Sequence, residues 1–206
     1  MNDSSIHPTA IIEVGVEVGP RTSIWDHAHL RGPDTRVGSD CIVGEKSYLG
    51  PGVVVGDLCK INAMVYLPTG VVLGRGVMVG AGAVFTNDRY PRATDPALEQ
   101  LRSSAPGPDT LDTRVGDGAT IGAGARIGPG VAIGRFAMIG MGAVVTRSIG
   151  DHLLAVGNPA RVIAVVCRCG EPVRRWAPGA PIPVGELVCA SCGRSYELVS
   201  GTVAEL

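Results

Sequence analysis

The sequence predicts an all-β chain wound into a parallel β-helix, interrupted once by a long loop and closed by a small cysteine-rich element. A six-residue period of aliphatic residues, a column of small residues in phase with it, and four cysteines gathered in the tail carry that prediction. The aliphatic column runs Ile6, Ile12, Val18, Ile24, Leu30, then, after one extra residue, Val37, Val43, Leu49, Val55, Ile61, Leu67, Leu73, Val79 and Phe85. It resumes at Val115, Ile121, Ile127, Ile133, Ile139 and Val145.

Two residues before each of these twenty positions stands Ala, Ser, Thr, Cys or Val, and Gly follows twelve of the twenty directly. Alternate side chains of a short strand point the same way, so the aliphatic residue and its small predecessor both face inward. Gly and other turn formers then let the chain change direction. A period of six cannot hold a helical stripe, which needs apolar residues at i, i+3, i+4 and i+7. Cys41 and Cys59 fall in the small inward column and read as buried packing residues.

Composition narrows the function. A formal charge of -1, no run of Lys or Arg, and 4% aromatics argue against nucleic acid or a membrane surface as partner. The first residues, MNDSSIHPTA, lack a charged segment followed by an apolar one, and no apolar stretch is long enough to span a bilayer. The expectation is a cytoplasmic protein, in which cysteines serve as packing groups, metal ligands or catalytic groups before disulfides.

Between Phe85 and Val115 the period would place Pro91, Ala97, Ser103 and Asp109 inward, which is no buried column. Residues of about 86–114 therefore leave the helix as an excursion, and loops of that length in compact domains are usually functional or disordered. The gap is a multiple of six, so the helix can resume in register.

The repeat, with a small residue two before the aliphatic and Gly after it, resembles that of the hexapeptide-repeat acyltransferases. That resemblance implies a left-handed β-helix of triangular section, three hexads to a coil, and a homotrimer with sites between subunits. Twenty hexads then make between six and seven coils, with residues 18 apart stacked. "FTNDRYPR" resembles the FTN-x-x-x-PR segment of the branch that acetylates the 3-amino group of nucleotide-linked sugars. Its members act on UDP-2-acetamido-3-amino-2,3-dideoxyglucuronate and dTDP-3-amino-hexoses. "IWDHAHL", "GDLCKIN" and "VVTRSIGDHLLAVGNPARVI" support the resemblance over roughly residues 5–165.

The resemblance implies acetyl-CoA as cosubstrate and a nucleotide-linked amino sugar as acceptor. Many sister enzymes use a His base in this loop, but here no His stands between His29 and His152. The branch gives its Asn, here Asn87, the role of accepting a hydrogen bond from the sugar amine and aiming its lone pair. The proton then passes to the departing thiolate or water, or Asp88 takes it as base.

Coenzyme contacts carried over from the sister family fall at Ala123, Met141, Thr146, Arg147 and Arg161, the last two being cations for the coenzyme phosphates. Independently, stepping by 18 from Glu45 passes Ala63, Ala81 and Ala123 to Met141, a small-residue groove suited to a pantetheine arm. Asn62 and Arg92 match acceptor-binding positions of the branch. His27 and His29 flank inward Ala28, point outward, and lie at nucleotide distance from Phe85, about 15 Å at strand spacing.

In the tail, Cys167-x-Cys169-Gly and Cys189-x-x-Cys192-Gly resemble the knuckles of a zinc ribbon. Four thiolates close a tetrahedral zinc site and leave no position for substrate, so the metal is structural. The domains expected are the β-helix over 1–165 and a zinc-ribbon-like tail over 166–206. Two other readings remain: a non-catalytic assembly subunit, and a β-helical carbonic anhydrase, for which His7, His27, His29 and His152 offer a poor ligand set.

Overall fold

A computed structural model describes residues 3–206. Among them every regular element is a strand, most only two residues long. The strands assemble into three parallel faces, each rung contributing one strand to each face in turn. The face that positions the site stacks Ile11–Ile12, His29–Leu30, Tyr48–Leu49, Tyr66–Leu67, Val84–Phe85, Arg126–Ile127 and Val144–Val145. We call it the second face; Ser5–Ile6 opens the first and Glu17–Val18 the third.

Register follows the period. Leu49 pairs with Leu67, 18 residues on, while Leu30 pairs with Leu49 because of the extra residue after Leu30. Phe85 pairs with Ile127, 42 residues on, which is one coil plus an excursion of 24. The loop thus leaves and returns without disturbing the stack.

All aliphatic column residues from Ile24 to Val145 are buried, as is the small column from Thr22 to Ala143. Each large side chain so buried contributes about 1.5–3 kcal/mol. Ile6 remains 43% exposed because no described rung covers its N-terminal side. Inward hydroxyls and thiols spend their hydrogen bonds on the next rung: Thr22 donates to the Gly38 carbonyl at 2.7 Å, Ser47 to Asn62 at 2.9 Å, and Cys59 to Gly74 at 3.0 Å. Cys41 and Cys59 are therefore packed and satisfied within the core.

At the C-terminal end Leu153–Val156 adds to the first face in parallel, and Arg161–Val166 and Pro172–Arg175 extend it antiparallel. The boundary expected between 165 and 166 falls inside the strand Arg161–Val166. A separate antiparallel sheet of Gly185–Val188, Ser195–Val199 and Thr202–Glu205 completes the tail. Its Tyr196 and Leu198 join the same core as the β-helix, so the last rung is covered by side chains.

The Gly following an aliphatic residue is required by rung spacing. A Cβ on Gly56 would lie 2.7 Å from the backbone of Gly74 in the next rung, whereas one on Gly52, at φ +71°, would meet nothing within 4 Å. Gly56→Ala is expected to lower the thermal midpoint well beyond Gly52→Ala, whose cost is the ~1–2 kcal/mol of a left-handed residue. Equal losses in a thermal melt would contradict the stacking argument.

Candidate functional site

The second face has two edges, and the expected site residues divide between them. At its leading edge, where the chain turns in from the first face, Glu45, Ala63, Ala81, Ala123 and Met141 stack rung on rung. Their carbonyls or those of their partners bond successively: the Met64 N–H donates to Glu45, Gly82 to Ala63, Gly124 to Ala81 and Gly142 to Ala123. Asn62 belongs to this edge, half-buried, and so does His27, an exposed turn residue at φ 54°. Arg161, paired with Val156, stands beyond Met141 at the C-terminal end of the same edge.

At the trailing edge Pro51, Thr69, Asn87, Pro129 and Arg147 occupy the equivalent position of successive rungs, two residues after the aliphatic. Thr146 precedes Arg147 there, and both are exposed. Asn87 and Arg147 are two rungs apart on this column, about 10 Å at strand spacing. Ala123 and Met141 lie across the face from them.

The excursion leaves from the trailing edge through a narrow neck. The Arg89 N–H donates to the Asp109 carbonyl at 2.9 Å, and the Leu111 N–H to Asn87 at 2.7 Å. The Asn87 side chain completes the anchor, its Nδ2 donating to the Thr69 carbonyl one rung below at 3.1 Å. A carbonyl partner requires the NH2 end of the amide, so Oδ1 is left as an acceptor with no donor among the described residues. Asp88 accepts from the Thr110 hydroxyl at 3.2 Å.

Between the excursion and the second face lies a cavity of about 810 Å³. Asn87, Asp88 and Arg92 all line it. Its floor holds residues that the sequence reading did not single out: Tyr48 and Tyr66, with rings stacked at 4.9 Å and 9° between planes, and Arg31 beside them. Burial pushes the Tyr66 phenol up, and the neighbouring Tyr48 and Asp88 add to this. Tyr48 and Glu13 both favour the Arg31 cation. Following the rungs finds this ladder, since His29, Tyr48 and Tyr66 each stand one residue before the aliphatic of successive rungs, 19 and then 18 residues apart.

His29 lies at the N-terminal end of the ladder, edge-on to Tyr48 at 5.8 Å, with Nε2 2.7 Å from Glu13. That bond is the main reason the Glu13 carboxyl sits below its usual range. His29 does not line the cavity, and His27 is on the other edge. His7 bonds Thr9 and His152 the Val166 carbonyl, so the four histidines each have separate surroundings.

In the tail the Sγ atoms of Cys167, Cys169, Cys189 and Cys192 all lie within 4.8 Å of one another, with Cys167 to Cys192 at 3.3 Å and Cys169 to Cys189 at 3.7 Å. Tetrahedral zinc with bonds of about 2.3 Å separates its sulfurs by about 3.8 Å, so the donor set fits that ion. The surroundings suit thiolates: the Tyr196 hydroxyl donates to Cys167 at 3.1 Å and Arg194 to Cys192 at 3.5 Å. The Arg194 backbone and guanidinium hold the Cys192 thiol down to about 6. Tyr196 also touches His152 at 5.0 Å between ring centroids, and His152 stacks on Phe136 at 5.2 Å. The cysteine cluster is thus packed directly on the end of the β-helix.

A model of the bacterial transferase hexapeptide, six repeats, matches residues 112–147, and one of the hexapeptide repeat of succinyl-transferase matches 34–68. A curated relative, dTDP-3-amino-3,6-dideoxy-alpha-D-galactopyranose 3-N-acetyltransferase of Aneurinibacillus thermoaerophilus, is 34% identical over 94 residues. The match takes in 46% of this chain and 45% of the relative, so the chain spans under half of that protein. Among solved structures, a GDP-perosamine N-acetyltransferase of Caulobacter crescentus with CoA and GDP-perosamine is 22% identical at a TM-score of 0.45, covering 77% of this chain and 55% of that one. The acetyltransferase domain of PglB from Neisseria gonorrhoeae with acetyl coenzyme A is 21% identical at 0.47, covering 79% and 58%.

The His152 ring yields a pH prediction. Its pKa is lowered, first by burial, so the folded chain resists protonating it while the unfolded chain binds a proton near pH ~6.5. Stability is therefore fully present above that value and is lost as the pH falls through it. In urea titrations across this range, His152→Phe should show a shallower acid loss than the parent chain. Parallel curves would mean the ring is not held neutral.

Proposed function

We propose that this chain, in which residues 34–68 and 112–147 match hexapeptide-repeat models, is an acetyl-CoA-dependent N-acetyltransferase of nucleotide-linked amino sugars. The acceptor amine, at C3 of the sugar, lies in the cavity under the excursion. One observation carries this reading: Asn87 lines that cavity with its amide nitrogen committed to Thr69 and its oxygen free to accept. The curated relative acts on a 3-amino sugar nucleotide, which supports the same substrate class.

In the proposed reaction the Asn87 Oδ1 accepts a hydrogen bond from the neutral amine and aims its lone pair at the thioester carbonyl. The N–C bond forms as the C–S bond breaks, and coenzyme A departs as the thiolate. The proton released by nitrogen goes to Asp88, which stands beside Asn87 in the cavity wall, or to the departing thiolate. Arg92 in the roof is the acceptor-binding residue of this reading, whereas Asn62, His27 and His29 lie outside the cavity.

Coenzyme A runs along a helix edge, its pantetheine arm against Ala123 and Met141 and its phosphates near Arg161, Arg147 and Thr146. Those five residues lie on two edges of one face. A homotrimer in which the leading edge of one copy met the trailing edge of another would bring them together. The enzyme works in the cytoplasm, where acetyl-CoA and nucleotide sugars are made. Among the described residues no helix is long and apolar enough to cross a membrane.

The four cysteines, close enough to share one ion, would hold a structural zinc that fastens the tail to the last rung. The β-helix, extended by the strand Arg161–Val166, is the catalytic part of this reading, and the residues after that strand are its metal-bound cap.

The test of the transfer is thiol release from acetyl-CoA with a panel of nucleotide-linked 3-amino and 4-amino sugars. Asn87→Ala should cut kcat/KM for the best acceptor by about 100-fold, as loss of a positioning group does; unchanged turnover rules out its role. Metal analysis under reducing conditions should find one zinc per chain, and Cys192→Ser should lower both zinc content and thermal stability. Metal-free protein of full stability would remove the zinc assignment.

A further inference from the structure

The charges around the cavity are distributed unevenly. Arg31, on the floor, is paired with Glu13 at 3.2 Å, and Glu13 also receives His29. Arg92 and Arg102 reach the cavity from the excursion, and among the described residues neither is paired with a carboxylate. Arg92 Nη1 rests on the Pro91 carbonyl at 2.9 Å. Arg102 is braced through its backbone, its N–H donating to the Ala93 carbonyl at 3.0 Å beside the Thr94–Leu101 bridge. Its guanidinium is thus an uncommitted cation on a fixed stem. At the root of the excursion stands the opposite charge, Asp88, adjacent to Asn87.

We propose that Arg92 and Arg102 clamp the diphosphate of the acceptor, and that Asp88 restricts the sugar to one without a carboxylate. This rests on the acetyl-transfer reading and narrows it: the chain acetylates a neutral amino sugar on a nucleoside diphosphate and discriminates against the matching uronate. A diphosphate diester carries about two negative charges, which two guanidinium groups match in number and in fork geometry. A uronate adds a third. Arg31 is already paired with Glu13, and beside Asn87 the cavity wall offers Asp88 instead of a cation. Like charges brought together in a partly desolvated cavity repel, and such repulsion is how a site excludes a near-identical ligand. In this assignment the amine meets Asn87 and the diphosphate meets Arg92 and Arg102.

The experiment has a binding arm and a rate arm. In calorimetry, dTDP and UDP should bind about tenfold or more tightly than dTMP and UMP. Arg102→Gln should erase most of that preference, weakening diphosphate binding more than monophosphate binding. In thiol release, a nucleotide-linked 3-amino-hexose should exceed the matching 3-amino-hexuronate at least about tenfold in kcat/KM, and Asp88→Asn should narrow the ratio. Diphosphate binding untouched by Arg102→Gln, or a uronate used as well as the hexose, overturns the proposal. Thiol release that favours the uronate leaves the transfer reading standing and sinks the charge argument. Diphosphate binding through Arg102 with no thiol release from any acceptor supports the clamp and removes the transfer reading.

Discussion

Every feature of this chain depends on one constraint, that a rung must lie about 4.8 Å above its neighbour with like positions in register. Backbone hydrogen bonds between rungs enforce it, as in the pairing of Leu49 with Leu67 and of Phe85 with Ile127. It demands Gly where backbones meet at Gly56 and a small residue two before each buried aliphatic. It also makes each outward column a chemical stripe along the helix. The stacked tyrosines, the small-residue edge and the column bearing Thr69, Asn87 and Arg147 are three such stripes.

A regular prism has flat faces and sharp edges, so it offers a coenzyme an edge but a sugar no concavity. The excursion supplies the missing wall. Its neck is fastened to the stack by Asn87 through Thr69, so the residue assigned to orient the amine also holds the loop root in place. Loop position and amide orientation are then set by the same hydrogen bond. A stacked Tyr48–Tyr66 floor gives the cavity a rigid, partly apolar surface opposite a cationic roof.

How much was legible in the sequence varied with how strictly each part obeys the repeat. The inward columns were fully readable, because burial acts on every sixth residue and leaves a periodic trace. Asn87 and Asp88 were readable as a break in that trace. Tyr48, Tyr66 and Arg31 escaped notice, although the 18-residue step aligns the tyrosines, because outward positions vary from rung to rung and signal only when a column is followed. Arg102 could not have been found, since the excursion has no period to give its place. The four cysteines announced a metal-sized cluster through their spacing, yet the packing of Tyr196 and His152 that fixes it to the last rung involves residues distant in sequence.

The central claim is that the excursion and the second face together form the acceptor site. A crystal structure of the chain soaked with coenzyme A and dTDP tests it directly. The account predicts the diphosphate between Arg92 and Arg102, above Tyr48 and Tyr66, with the coenzyme thiol pointing toward Asn87. Nucleotide density on any other face, with the cavity beneath the excursion empty, would contradict it.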